Sequence, residues 1–363
     1  MGKQLLIWAL FVALLIYSWL ASHGSLELAK TETSALRFVE SAVESGMDFR
    51  HQPPQLDPRI ASILPQVAGT GAAVSVVDVN GDGWMDVYAV SSREGDSNAL
   101  FINRGDGTFE DHASQAGLAQ INTASQGVSH GSLWADFDRD GDQDVLVYMW
   151  GKSRLFRNES DSSGLRFEEV DKGGFPDRMY ASAACLLDLD RDGDLDLFLG
   201  GYYRAETNLW DLDSMRFLHD DQEFARNGGR NHVLRNDGDM RFVDISESHL
   251  VPTSRWTYAA ASADLDGDGW QDLYIANDYG TEEFLRNAEG KGFESVQGLG
   301  LGAKSKSGMC VAFGDVTNSG QLAVFVTNIS EPGYLMQGNN MRLISNGDAG
   351  GLRMDNVLSL IHI

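Results

Sequence analysis

Cysteine, proline and basic residues are all scarce in this chain of 363 residues, at 2, 7 and 28. Two cysteines, Cys185 and Cys310, cannot build a disulfide framework. Each lies in an apolar run just before an aspartate cluster, which predicts two buried free thiols in separate strands. Few prolines beside 40 glycines and 10% aromatics exclude a disordered low-complexity chain and suit a turn-rich β protein. The shortage of Lys and Arg against 53 Asp and Glu leaves a net charge of −25. Nucleic acid needs a basic face, so it is excluded as a partner, whereas divalent cations are favoured.

Long apolar runs are missing except at the N-terminus. There Lys3 precedes an apolar stretch from Leu5 to Ala21, followed by Ser22, His23, Gly24 and Ser25. The stretch is long for a signal-peptide core and short for a membrane-spanning helix. Residues 1–25 are read as an apolar helix, either a signal peptide cleaved after Gly24 or a membrane anchor through residues 5–21. Both readings place the rest outside the cytoplasm, secreted, periplasmic or anchored. Residues 26–37 read as a polar linker and 38–357 as the folded domain. Residues 358–363, Leu358 to Ile363, match the translation of a common library-preparation adapter. They are expected to be a scar, with the natural protein continuing further.

Internal repetition is the strongest signal. Four nine-residue loops share one pattern, beginning at Asp78, Asp136, Asp188 and Asp264, and a degenerate fifth runs from Asp315 to Ala323. Position 1 is always Asp. Position 3 is Asn80, Asp138, Asp190 or Asp266, and position 5 is Asp82, Asp140, Asp192 or Asp268. Position 7 is Trp84, Asp142, Asp194 or Trp270, and position 9 is Asp86, Asp144, Asp196 or Asp272. Between the loops lie hairpin signals: an apolar pair, one residue, Asn, a turn, then an aromatic, as in Leu155-Phe156-Arg157-Asn158 leading to Phe167. One loop and one hairpin make about four strands, the content of one propeller blade. The spacing stretches between the third and fourth loops, where an insertion from Tyr202 to Arg230 falls.

Carboxylates at alternate positions of a tight turn converge on one point. Position 7 would add its backbone carbonyl, which leaves a tryptophan acceptable there. Gly83, Gly141, Gly193 and Gly269 at position 6 allow the positive φ of a sharp turn. Oxygen-only ligands favour Ca²⁺ over magnesium or zinc. Two carboxylates about 4 Å apart repel by roughly 4 kcal/mol at an effective dielectric near 20, and too few basic residues lie nearby to offset four of them. About four calcium sites are therefore expected, with the fifth loop metal-free. The EF-hand is rejected because position 12 is Ala89, Val147, Leu199 or Ile275 rather than Glu.

The loops resemble FG-GAP/VCBS repeats of integrin-α-type propellers. Their alternation with the Asn and aromatic hairpins, and the opening segment Gly46-Met47-Asp48-Phe49-Arg50-His51, resemble the ASPIC/UnbV group, the cartilage acidic protein family. The resemblance implies an all-β, seven-bladed propeller with calcium in its blade loops and a further C-terminal domain. About five blades are present here.

No nucleophile–base arrangement is evident, so the chain is read as a binding or adhesion module for a protein or glycan and not as an enzyme. The alternative is a hydrolase or lyase using a propeller face. The insertion, with Tyr202, Tyr203, Trp210, Phe217, His219 and Arg230, is the best placed for specific recognition. Arg104-Gly105-Asp106 is read as part of a hairpin turn, His130 as a packed strand residue, and Asn158 and Asn328 as matches to glycosylation acceptors.

Overall fold

The computed structural model describes residues 38–69, 71–171, 173–222, 224–250, 254–296, 307–329, 339–346 and 352–360. The apolar run 5–21 and the linker 26–37 lie outside them, as do residues 361–363. The chain divides into two compact units, Met1–Ala42 and Val43–Ile363, and the second carries the fold. Among the described residues no helix is long and apolar enough to cross a membrane.

The second unit is all-β. Its strands form five antiparallel four-stranded repeats. The first comprises β1 (Ala73–Val77), β2 (Asp86–Val90), β3 (Ala99–Asn103) and β4 (Phe109–Asp111). The second comprises β5 (Gly127–Ala135), β6 (Asp144–Gly151), β7 (Arg154–Asn158) and β8 (Phe167–Val170). The third comprises β9 (Met179–Leu187), β10 (Asp196–Gly201), β11 (His232–Asn236) and β12 (Phe242–Asp244). The fourth comprises β13 (Trp256–Ala263), β14 (Asp272–Tyr279), β15 (Glu283–Asn287) and β16 (Phe293–Ser295). The fifth comprises β17 (Gly308–Gly314), β18 (Ala323–Asn328), β19 (Asn339–Asn346) and β20 (Leu352–Leu360). Every aspartate loop joins the first strand of a repeat to the second. The second and third repeats fuse into one sheet where Trp150 and Gly151 of β6 pair with Tyr180 and Met179 of β9.

The second strands read as unbroken apolar runs because both of their faces are buried. Val145 and Val147 pack toward the first repeat, while Leu146 between them packs toward the third. Leu197 and Leu199 face the second repeat and Phe198 the fourth. Leu273 and Ile275 face the third, and Tyr274 the fifth. Alternation with period two thus builds one core at each junction between repeats. Small residues in the first strands let these junctions close. Ser75 Oγ lies 2.6 Å from Ser132 Oγ, and Ser262 Oγ donates to the Leu186 carbonyl.

The thiols differ from expectation. Cys185 is buried at the junction of the third and fourth repeats, and burial pushes its pKa up to about 12. Cys310 is exposed, because it lies on the face of β17 opposite the Val311 and Phe313 side that packs on the fourth repeat. The insertion also departs from a free recognition loop. Tyr202, Tyr203 and Phe217 are buried with Trp150, Tyr180 and Trp256, under Ile60 and Val67 of the helical turns Pro58–Ile63 and Leu64–Ala68. Asp57 ties the two segments together, accepting from Leu212 N at 2.8 Å. The Arg59 guanidinium holds that carboxyl well below its usual range.

Candidate metal centres

Four loops share one backbone course. Position 6 has positive φ in each, at 87° for Gly83, 102° for Gly141, 90° for Gly193 and 89° for Gly269. Position 4 is left-handed as well, a requirement that sequence reading missed. Glycine meets it at Gly81 and Gly267, but Arg139 and Arg191 adopt φ of 66° and 61°, a conformation that costs an L-residue about 1 kcal/mol. Position 2 is an apolar anchor, since Val79, Phe137, Leu189 and Leu265 are all buried.

The structure brings positions 1, 3 and 9 together. Asp136, Asp138 and Asp144 offer oxygens within 4.8 Å of one another, as do Asp188, Asp190 and Asp196, and Asp264, Asp266 and Asp272. Each set could hold a metal ion. The first loop has Asp78, Asn80 and Asp86 at the same positions, with an amide for one carboxylate. Position 5 lies outside these sets and is exposed. Asp82, Asp140, Asp192 and Asp268 instead accept the backbone N–H of position 7, at 2.8, 2.9, 2.8 and 2.9 Å. Those position-7 residues are Trp84, Asp142, Asp194 and Trp270.

Position 9 is the structural pivot. Asp86, Asp144, Asp196 and Asp272 are each 0% exposed. One oxygen accepts the N–H of position 2 and the other accepts the N–H of the hairpin Asn. Burial raises all four carboxyls, pushing Asp144, Asp196 and Asp272 up to about 7. At position 3, burial and then a neighbouring aspartate raise Asp138 and Asp190, and burial raises Asp266.

The donor set fits a hard cation, and the third loop gives the sharpest test. Asp188 Oδ1 and Asp190 Oδ1 are buried and accept no hydrogen bond. Such orphaned oxygens are costly unless a proton or an ion meets them. Arginines supply part of the offset that charge counting did not find. Arg157 Nε is 2.7 Å from Asp138 Oδ2, and Arg139 Nη1 is 3.2 Å from Asp194 Oδ1 in the next loop. Arg191 lies over Trp270 of the loop after its own, 5.1 Å from the ring centre.

The hairpin asparagines do more than turn the chain. Asn158, Asn236 and Asn287 each donate from Nδ2 to the position-2 carbonyl of the preceding repeat, Val79 O, Phe137 O and Leu189 O. Asn158 is thereby buried, so its match to a glycosylation acceptor falls on a buried side chain. His130 packs as expected, stacked on Trp150 at 5.4 Å, and burial lowers its pKa to about 3. Arg104-Gly105-Asp106 forms the β3–β4 turn, where Arg104 pairs with Glu110 and Asp106 accepts from Thr108 N at 2.9 Å.

Buried apolar position 2, left-handed positions 4 and 6 and a buried acid at position 9 define a repeat class, and the FG-GAP-like repeat family model matches residues 78–147, 136–199, 221–275 and 264–326. The chain belongs to the FG-GAP-like repeat family. Within it, the chain is 29% identical to cartilage acidic protein 1 of Homo sapiens over 57% of its length, and 28% identical to that of Xenopus tropicalis over 61%. It spans 28% and 31% of those two relatives. Among solved structures, the V. cholerae biofilm matrix protein Bap1 is similar over 76% of this chain and 37% of its own, with 12% identity and a TM-score of 0.39. That similarity is too loose to bear on function.

Proposed function

We propose that the chain is a calcium-stabilised β-propeller segment of five blades, acting outside the cytoplasm as a binding or adhesion module for a protein or glycan. The observation that carries this reading is the repeated cluster of one buried and two half-buried carboxylates, above all the two orphaned oxygens of the third loop. Positions 1, 3 and 9, with 5 and 7 beside them, would hold about four ions. A bound ion would supply positive charge and fix the turn between the first two strands of each blade.

Binding is favoured over catalysis because acids buried elsewhere have structural partners. Asp278 accepts from Tyr202 Oη at 2.6 Å, Glu282 from Tyr274 Oη at 2.8 Å, and Glu283 pairs with Arg255 at 3.2 Å. Relatives named for cartilage, and the apolar run at residues 5–21, support a place outside the cytoplasm. Calorimetric titration of the purified protein with CaCl₂ tests the proposal. Uptake of several ions with a rise in Tm is expected, and no uptake at millimolar calcium would sink it.

A further inference from the structure

A cleft of about 350 Å³ opens between the second and third repeats, beside the place where β6 pairs with β9. Its floor is glycine by necessity. A Cβ on Gly127 would lie 2.0 Å from Trp150 O, and one on Gly151 would lie 2.0 Å from Gln126 O. Both sit at positive φ, 106° and 142°. No other residue fits these positions without moving the floor.

Trp210, half-buried, forms one wall and stacks on Tyr180 with an angle of 18° between the rings. Arg178 braces that wall, donating to Tyr180 Oη, Thr207 O and Asn208 Oδ1 at 3.0, 3.2 and 3.2 Å. Trp150 also lines the cleft, and its buried Nε1–H meets no acceptor among the described residues. Around the rim stand Glu94, Asp177 and Gln126, whose side chains have no hydrogen-bond or ion-pair partner among the described residues.

We infer that this cleft binds a neutral saccharide, one pyranose ring lying against Trp210 and its hydroxyls meeting Asp177, Glu94 and Gln126. This rests on the reading of the chain as a binding module and names its ligand class. The volume is that of a small-molecule site. A half-exposed indole beside amide and carboxylate groups that have no partner among the described residues suits a ligand with an apolar face and a hydroxylated edge. The Glu94 and Asp177 carboxylates at the rim, on a chain of net charge −25, repel an anionic ligand. Arg178 beside them disfavours a cationic one.

The test uses the purified protein in calcium buffer. Glucose, galactose, mannose and N-acetylglucosamine are the probes, with glucuronic acid and an acidic peptide alongside, read by saturation-transfer NMR and tryptophan fluorescence. A neutral sugar is expected to bind. Trp210→Ala should weaken it about tenfold, and Asp177→Ala, at an exposed position, should weaken it with Tm unchanged. Three results would overturn the inference: no neutral sugar bound, equal binding by both variants, or binding of only the acidic probes. A calcium-dependent Tm without sugar binding removes this inference and leaves the calcium-stabilised propeller standing. Sugar binding without calcium uptake does the reverse.

Discussion

The fifth loop and the four before it share a backbone but not a charge. Asp315 accepts from Ser319 N and Gly320 N at 3.0 and 2.7 Å, as Asp136 accepts from Asp140 N and Gly141 N at 3.1 and 3.0 Å. Positions 4 and 6 are again left-handed, at Asn318 (φ 53°) and Gly320 (φ 83°). Yet Thr317, Ser319 and Gln321 replace the other acids, and position 9 is Ala323, buried in the core. The turn is thus specified by one aspartate and two left-handed residues. The acids at positions 3, 5 and 7 are not needed to shape it, so their cost must be offset by something else. Their repetition in four loops is the physical argument for a cation.

Removing calcium should break the comparison most strongly. Each occupied site is expected to add about 2.7 kcal/mol at a hundredfold excess over its Kd, so EGTA should lower Tm by many degrees. A protein carrying Asp138→Ala, Asp190→Ala and Asp266→Ala should respond far less, its loops having been made more like the fifth. Differential scanning calorimetry with and without chelator checks this.

Asp196→Ala comes next. It leaves Leu189 N–H and Asn236 N–H without an acceptor in a buried site, a loss of about 2–5 kcal/mol, read by urea denaturation. Asn287→Ala should cost about 1–3 kcal/mol by the same logic, since it removes the bond to Leu189 O of the preceding repeat.

Acidity offers a third contrast. Asp144, Asp196 and Asp272 carry folded pKa values pushed up to about 7 by burial, against an ordinary 3.8. A raised carboxyl makes ionisation harder in the folded state. Without calcium, stability should therefore fall as pH rises from about 4 to about 7 and then level off. With calcium bound the ionised form is favoured and the trend should reverse. Chelated protein melting at a higher temperature at pH 7.5 than at pH 5 would contradict this. Smallest of all, Asn318→Gly should shift stability by less than about 1 kcal/mol, because only left-handed strain changes.

Much of this was legible beforehand because it is local. The aspartate spacing, the glycine at position 6 and the hairpin asparagines lie within nine residues or one turn, where bond geometry dictates the outcome. The left-handed Arg139 and Arg191 were not legible, since nothing in an arginine announces positive φ. Nor was the fate of the insertion. Its aromatics read as the best placed for recognition, but Tyr203 and Phe217 are buried in one core with Ile60 and Val67, far away in sequence.

The chain by itself determined an all-β repeat protein with acidic turns, because strand alternation and turn chemistry act over a few residues. Only the tertiary structure decided which acids meet, and which asparagines join one repeat to the one before it across 79, 99 and 98 residues. It alone decided where Trp210 forms the wall of a cleft. Contacts between repeats depend on packing that no local pattern encodes.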